Sequence, residues 1–248
     1  MASNALIQSI LDGAGVALRS GAIVRTTRNA PGFPAVWSQA SQIPGWFEEI
    51  NAAAFWAVIA EKRPETVVEI GSYLGRSSAL IGLSLQKFCH NPRLVSIDPH
   101  TGDRQQKEIL GVDELPTAQL FALHMAGMGL KEMVDMRIST SRDVALTWND
   151  PIDLIFVDGW HSYDAVLEDG CSWSPYLSSD GLVCFDDYGT YPEVKEAVIK
   201  TCKDMQLQFY GTVTTQAWAG RRPTPPPGLQ TAIRWTRPLR SSGPSGGS

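Results

Sequence analysis

Several things are scarce in this sequence, and each shortage removes a class of protein. No basic block interrupts the chain: 21 Lys and Arg stand against 26 Asp and Glu in 248 residues, a net charge of −5. Nucleic acid is therefore not an expected partner. No window approaches 18 uninterrupted apolar residues, so no membrane span is expected. The opening MASNALIQSILDGAGVALRSGAIV lacks the basic start and compact apolar run of a secretory signal. Only four cysteines occur: Cys89, Cys171, Cys184 and Cys202. None forms CxxC or sits at zinc-finger spacing with a histidine. They read as reduced, core or near-core thiols of a cytoplasmic protein. No internal repeat is found, and the G-x-G-x-x-G fingerprint of dinucleotide-binding folds is missing.

What is present is a normal globular composition. At 43% hydrophobic and 19% charged residues, the chain can build one large α/β domain or two small ones. Residues 1–45 hold one amphipathic stretch (Leu6, Ile7, Ile10, Leu11) and then a Pro/Gly run, and are expected to form a lid or an oligomer contact. Residues 46–240 are expected to form the main domain. The Gly/Ser-rich end, 241–248, reads as a flexible tail.

From Trp46 a rhythm sets in. A helix is predicted over 46–61, with apolar residues recurring at three and four. Strands are predicted at 66–71, 93–98, 134–139, 152–158 and 181–187. Helices are predicted between them at 77–88, 115–130 and 163–173, and another at 192–205. Two β-like runs, 207–220 and 229–236, read as a closing hairpin joined by RRPTPPPG. Strands alternating with helices imply a Rossmann-like, doubly wound, mostly parallel α/β sheet of seven strands ending in an antiparallel hairpin.

Ligands bind beyond the carboxyl ends of such strands. Five strand ends carry polar groups: Glu69 and Gly71; Asp98; Ser139 and Ser141; Asp158; Asp186 and Asp187. One or two could be helix or loop caps, but five together point to a site. Glu69 lies inside an apolar strand, where it must find donors or a cation. Asp98 follows Glu69 by 29 residues, where a ribose-binding carboxylate would lie; its plain alternative is a cap before Pro99. Asp158, Asp186 and Asp187 would repel one another at one rim unless a cation sat between them, and oxygen ligands suit a hard ion such as Mg²⁺. His161, three residues past Asp158, is a competent general base near pH 7.

In this order, VVEIGSYLGRSS, LVSID, STSRD, FVDGWHSYDAVLED and GLVCFDDY resemble class I S-adenosylmethionine-dependent methyltransferases. The resemblance covers roughly residues 45–220. It is greatest to the metal-dependent small-molecule O-methyltransferases: the catechol group and the macrolide-sugar enzymes that carry D-G-x-H-x-Y. The resemblance implies that Glu69, Gly71, Ser72, Tyr73, Gly75 and Ser77 surround the methionine part of S-adenosylmethionine. Asp98 would bind the ribose, Ser141 and Arg142 would flank the adenine, and Asp158 would also border the cofactor. It further implies that Asp158, Asp186 and Asp187 hold Mg²⁺ and that His161 is the catalytic base, with Asp158 beside it. Asp187 departs from the catechol enzymes, whose last ligand is asparagine. No catechol-type substrate floor is recognisable, so the histidine points toward a sugar or other natural-product hydroxyl. Tyr188 and Tyr191 are the expected acceptor wall, with Trp37, Trp46, Trp218 and Trp235 as further aromatics whose plain role is packing. The expected partners are a hydroxylated small molecule and further copies of the chain.

Three other readings remain at this level. A nicotinamide-dependent oxidoreductase would leave three acids unexplained. A non-catalytic cofactor-binding module would not need Asp158 or His161. A metal-dependent hydrolase would not need the glycine turn and Asp98.

Overall fold

The computed structural model describes residues 32–102 and 116–236, the side chains of 234–236 excepted. The expected Leu6–Leu11 stretch and the 241–248 tail lie outside these residues, as does the side chain of Trp235. In chain order the helices are α1 (Phe33–Ala40), α2 (Glu49–Lys62), α3 (Arg76–Phe88), α4 (Thr117–Gly127), α5 (Ser141–Ala145), α6 (Tyr163–Trp173), α7 (Pro192–Asp204) and α8 (Pro227–Thr236). The strands are β1 (Thr66–Ile70), β2 (Arg93–Ile97), β3 (Val134–Arg137), β4 (Ile152–Val157), β5 (Leu177–Phe185), β6 (Gln208–Val213) and β7 (Gln216–Gly220).

All seven strands join one sheet in the order β3-β2-β1-β4-β5-β7-β6. The first five pair in parallel, and β7 runs antiparallel to both β5 and β6. Parallel strands buried on both faces need apolar side chains in both alternating sets. Val67, Leu94, Leu154 and Leu182 face one layer, with α1, α2, α3, α4 and α8. Val68, Val95, Ile155 and Val183 face the other, with α6 and α7. Phe47, Phe55, Phe156 and Trp218 meet edge-on or tilted in the first layer, at centroid distances of 4.8–5.7 Å. Aromatic pairs of this kind add about 0.5–1.5 kcal/mol beyond their area.

The hairpin exists, but not where the β-like runs place it. It lies wholly within 208–220, closed by Thr214 and Thr215, with Val213 paired to Gln216. Residues 227–236 are helical instead. Leu229, Ala232 and Ile233 recur at helical spacing and are buried. Pro227 costs little in a first helical turn, where its missing N–H has no partner to lose. The helix packs on β6 at Gly211, where a Cβ would come 2.7 Å from Ile233 Cγ2. A second difference is α1, inside the Pro/Gly stretch. Pro34 sits in its first turn, and Phe33, Val36 and Ala40 are buried against α2 and α3. Trp37 packs partly buried beside them, and Trp218 is fully buried on β7, so both follow the packing reading.

Because β1 to β5 are parallel, their carboxyl ends share one edge of the sheet. That edge carries the turn after β1, Asp98, α5, the Asp158–Ser162 loop and the Asp186–Tyr191 loop.

Candidate active site

The turn after β1 is built by glycine. Gly71 adopts φ +85°, and a Cβ there would lie 2.0 Å from the Asp158 carbonyl oxygen. No side chain fits, so the β1 turn and the end of β4 touch directly. Gly75, φ +92°, meets Met125 and Phe121 of α4 in the same way. Tyr73 is also left-handed, at φ +47°. The turn is braced by Asp98: Oδ2 accepts the N–H groups of Ser72 (3.0 Å) and Tyr73 (2.8 Å), and Oδ1 accepts that of His100 (2.7 Å). A carboxylate offers about four lone-pair positions. With three of these taken, a lone pair of Oδ1 remains open for a ligand hydroxyl. Among the described residues Ser72 Oγ is buried without a hydrogen-bond partner, an orphan of the kind a bound ligand would satisfy.

Glu69 lies deeper. Its strand register aligns it with Ser96 and Phe156, on the α3 side of the sheet. Ser96 Oγ donates to Oε2 at 2.9 Å, and Ser78 Oγ donates to the same oxygen. Burial pushes its carboxyl up, against the hydrogen bonds of Ser77, Ser78 and Ser96. Glu69 thus finds donors for Oε2 in α3 and β2, while Oε1 is buried with no hydrogen-bond partner among the described residues, and the carboxylate ties the start of α3 to the sheet beneath the turn. Ser77 is part of that tie.

At the ends of β4 and β5, Asp158, His161 and Asp187 each offer a ligand atom, all within 4.8 Å of one another. His161 Nε2 meets Asp187 Oδ2 at 2.9 Å, and the ring stacks on Tyr191 at 4.8 Å and 11°. Burial works to raise the Asp187 carboxyl, but the bonds from His161 and Thr190 and the His161 charge hold it below its ordinary range. An ionised carboxylate only accepts, so Nε2 carries the proton of this contact. Asp158 is driven well above the carboxylate range, first by burial, then by Asp186 and Asp187. Asp186 turns toward β7: it accepts Asp187 N–H at 2.8 Å, Thr215 Oγ1 at 3.3 Å and Gln216 Nε2 at 3.4 Å. Burial raises it to about 6. The structure therefore brings together Asp158, Asp187 and His161, with Asp186 behind them. Close acids that repel need a cation or a proton. Two carboxylates and an imidazole fit a divalent ion, Mg²⁺ by the oxygens and Mn²⁺ also by the nitrogen.

The remaining expected residues divide. Ser141 opens α5, with Thr140 as its N-cap, and donates its hydroxyl to Asp169 on α6. Arg142 is exposed and pairs with Glu168 at 3.1 Å. Tyr191 stands in the site by its stack on His161. Tyr188 turns away, against Phe209 of β6 at 5.6 Å. Trp46, 71% exposed, lies 5.4 Å from the Tyr73 ring over the glycine turn. Two residues went unnoticed in the sequence. Trp160 is 63% exposed in the Asp158–His161 loop, where the bare tetrapeptide DGWH was the only signal. Asp169 is an acid on the buried stripe of a helix.

Comparison with known proteins bears on the fold that carries this site. Residues 68–188 match the family model of a methyltransferase domain. An uncharacterized protein, R132, of Acanthamoeba polyphaga mimivirus is 31% identical over 157 residues, 60% of this chain. The match spans 65% of that relative, a little under two thirds. Among solved structures, the O-methyltransferase from Bacillus cereus in complex with SAH superposes with a TM-score of 0.55 at 11% identity, over 87% of this chain and 97% of that one. The O-methyltransferase TomG from Streptomyces achromogenes, involved in tomaymycin synthesis and solved with SAM, gives 0.52 at 17% identity, over 76% and 89%. At such identities the likeness is one of fold. Residues 68–188 thus resemble a methyltransferase domain, and the chain shares its fold with these two solved structures.

Proposed function

We propose that the protein transfers a methyl group from S-adenosylmethionine to a hydroxyl of a small molecule, with the help of a divalent cation. One observation carries the reading: the Gly71 turn lies directly against the Asp158 carbonyl, so a cofactor on that turn ends beside Asp158, His161 and Asp187. Ser72 and the last acceptor position of Asp98 take the cofactor's polar groups. Ser141 borders its adenine.

Asp158 and Asp187 would hold the cation, with Asp186, bonded to Gln216 at 3.4 Å, as a further carboxylate behind them. A bound cation lowers the pKa of an acceptor hydroxyl and fixes its position. His161 receives the hydroxyl proton, while Asp187 orients the ring through Nε2. Tyr191 stacks on the ring and keeps it from turning. Alignment of the acceptor oxygen with the methyl group is left to the loop Asp158–Ser162, and misplacement there is costly.

The acceptor is a sugar or other natural-product hydroxyl. Exposed Trp160 and half-exposed Tyr191 beside the acids suit a ring presented on its C–H face. The four free cysteines support a reducing, cytoplasmic setting. Among the described residues no helix is long and apolar enough to cross a membrane.

The test is methyl transfer from radiolabelled S-adenosylmethionine to a panel of hydroxylated glycosides and polyketides, with Mg²⁺ and with EDTA. Label transfer that EDTA abolishes is expected. Transfer that proceeds unchanged in EDTA sinks the cation's role. No binding of S-adenosylhomocysteine in either condition sinks the cofactor.

A further inference from the structure

Asp169 is a buried carboxylate that the proposed chemistry leaves unused. It lies on α6, 7% exposed. Its Oδ1 accepts the hydroxyl of Ser141, the first residue of α5. The next residues repeat the contact at the surface, Arg142 Nη1 to Glu168 Oε1 at 3.1 Å. Two consecutive residues of α5 therefore hold two consecutive residues of α6. The other oxygen, Oδ2, lies under the loop after β4: a Cβ on Gly159 would be 3.5 Å from it. Gly159 stands between Asp158 and His161. One carboxylate thus bonds the helix expected to border the adenine and lies close to Gly159 in the loop that carries the metal and base residues.

Keeping an acid there is costly. Burial pushes its carboxyl up to about 6, against the pull of the Ser141 bond. Among the described residues no lysine or arginine pairs with it. An apolar residue would pack in this layer, beside Val166 and Trp173, without that cost.

We propose that Asp169 is a positioning residue: it takes the hydroxyl proton of Ser141 and supports the Asp158–His161 loop from beneath. A hydroxyl has one proton. With that proton given to Asp169, Ser141 can only accept from a ligand. Resting on the S-adenosylmethionine reading above, Ser141 then meets the 6-amino group of a purine, a donor, and disfavours a 6-oxo purine, an acceptor. The device reads the purine and ties that reading to the geometry of the catalytic loop.

The experiment is isothermal titration of the full chain with S-adenosylhomocysteine and with S-inosylhomocysteine, its 6-oxo analogue. Wild type is expected to prefer the adenosyl form by about tenfold or more, the effect of one properly matched hydrogen bond. Asp169→Asn should keep the preference, because its amide oxygen still accepts from Ser141. Asp169→Ala and Ser141→Ala should bring the two ligands to within about threefold. Turnover should fall in Asp169→Ala through kcat as well as through KM for the cofactor, since the loop loses its support. If Asp169→Ala does not fold, Ser141→Ala and Asp169→Asn decide. Full preference retained in Ser141→Ala overturns the proposal, as does loss of preference in Asp169→Asn. Failure of wild type to bind S-adenosylhomocysteine overturns the cofactor reading itself, before any variant is compared.

Discussion

Asparagine at position 158 should pull stability and function in opposite directions. Asp158 and Asp187 hold ligand atoms within 4.8 Å of each other, and burial with the neighbouring acids drives Asp158 well above its ordinary range. Two unit charges at that distance repel by about 3.5 kcal/mol at an effective dielectric of ~20. Partial protonation relieves some of this, so removing one charge should stabilise the cation-free protein by about 1–3 kcal/mol. In EDTA, Asp158→Asn is expected to melt a few degrees above wild type. Cation reverses the order. A ligand at 100 times its Kd adds about 2.7 kcal/mol, and for a chain of this size 1 kcal/mol moves Tm by about 2–4 °C. Wild type should therefore rise by roughly 5–11 °C in saturating Mg²⁺ or Mn²⁺, and the variant by less than about 2 °C. The assay is thermal unfolding in EDTA and in each metal. An equal rise in both proteins refutes the assignment of Asp158 to the cation. A lower Tm of the variant in EDTA refutes the claim that this carboxylate is held under repulsion.

Four further outcomes are expected. His161→Ala should lower kcat by about 10²–10⁴ while S-adenosylhomocysteine binds as before; near-normal turnover would remove the base from this residue. Gly71→Ala places a Cβ 2.0 Å from a backbone oxygen at φ +85°. Left-handed strain of about 1–2 kcal/mol and overpacking of about 1–3 kcal/mol should cost stability and cofactor affinity together, and an unchanged melt would contradict that packing. Asp169 is an acid raised from 3.8 to about 6, so the folded state holds its proton longer than the unfolded one. Stability therefore falls as pH rises from about 4 to 6, by up to about 3 kcal/mol, a slope that should flatten in Asp169→Asn when denaturant melts are compared at pH 4 and pH 7. Trp160→Ala should raise the acceptor KM severalfold with S-adenosylhomocysteine affinity intact, and an unchanged KM would take Trp160 out of the acceptor wall.

How far the fold was readable follows from what each element buries. Strands β1, β2, β4 and β5 lie between two helical layers, so they are apolar on both sides and short, and their alternation with helices sets the sheet order. Residues 229–236 carry Thr231, Ile233 and Trp235, a β-rich content, but Leu229, Ala232 and Ile233 are buried, Ile233 against Gly211, and that burial makes them a helix. The helix at 33–40 was hidden by Pro34 and Gly32, which suit a helix start as well as a loop.

The site was legible to the level of loops and not to the level of atoms. Parallel topology alone brings the ends of β1, β2, β4 and β5 to one edge, so strand-end acids could be listed together without coordinates. Which way each acid points depends on strand register and on neighbours far along the chain. Glu69 shares its register with Ser96, and this turns it into the sheet rather than onto the rim. Asp186 and Asp187 are adjacent, yet Thr215 and Gln216 capture the first and His161 the second. Asp169 is the instructive case, because its signal was in the sequence. Val166, Asp169 and Trp173 recur at three and four, so the acid stands on the apolar stripe of α6, where a charge costs stability unless another element needs it. An acid on the buried face of a crossover helix, a few turns from a strand-end acid and a histidine, is itself an expectation that a polar partner waits on the next loop. Here that partner is Ser141.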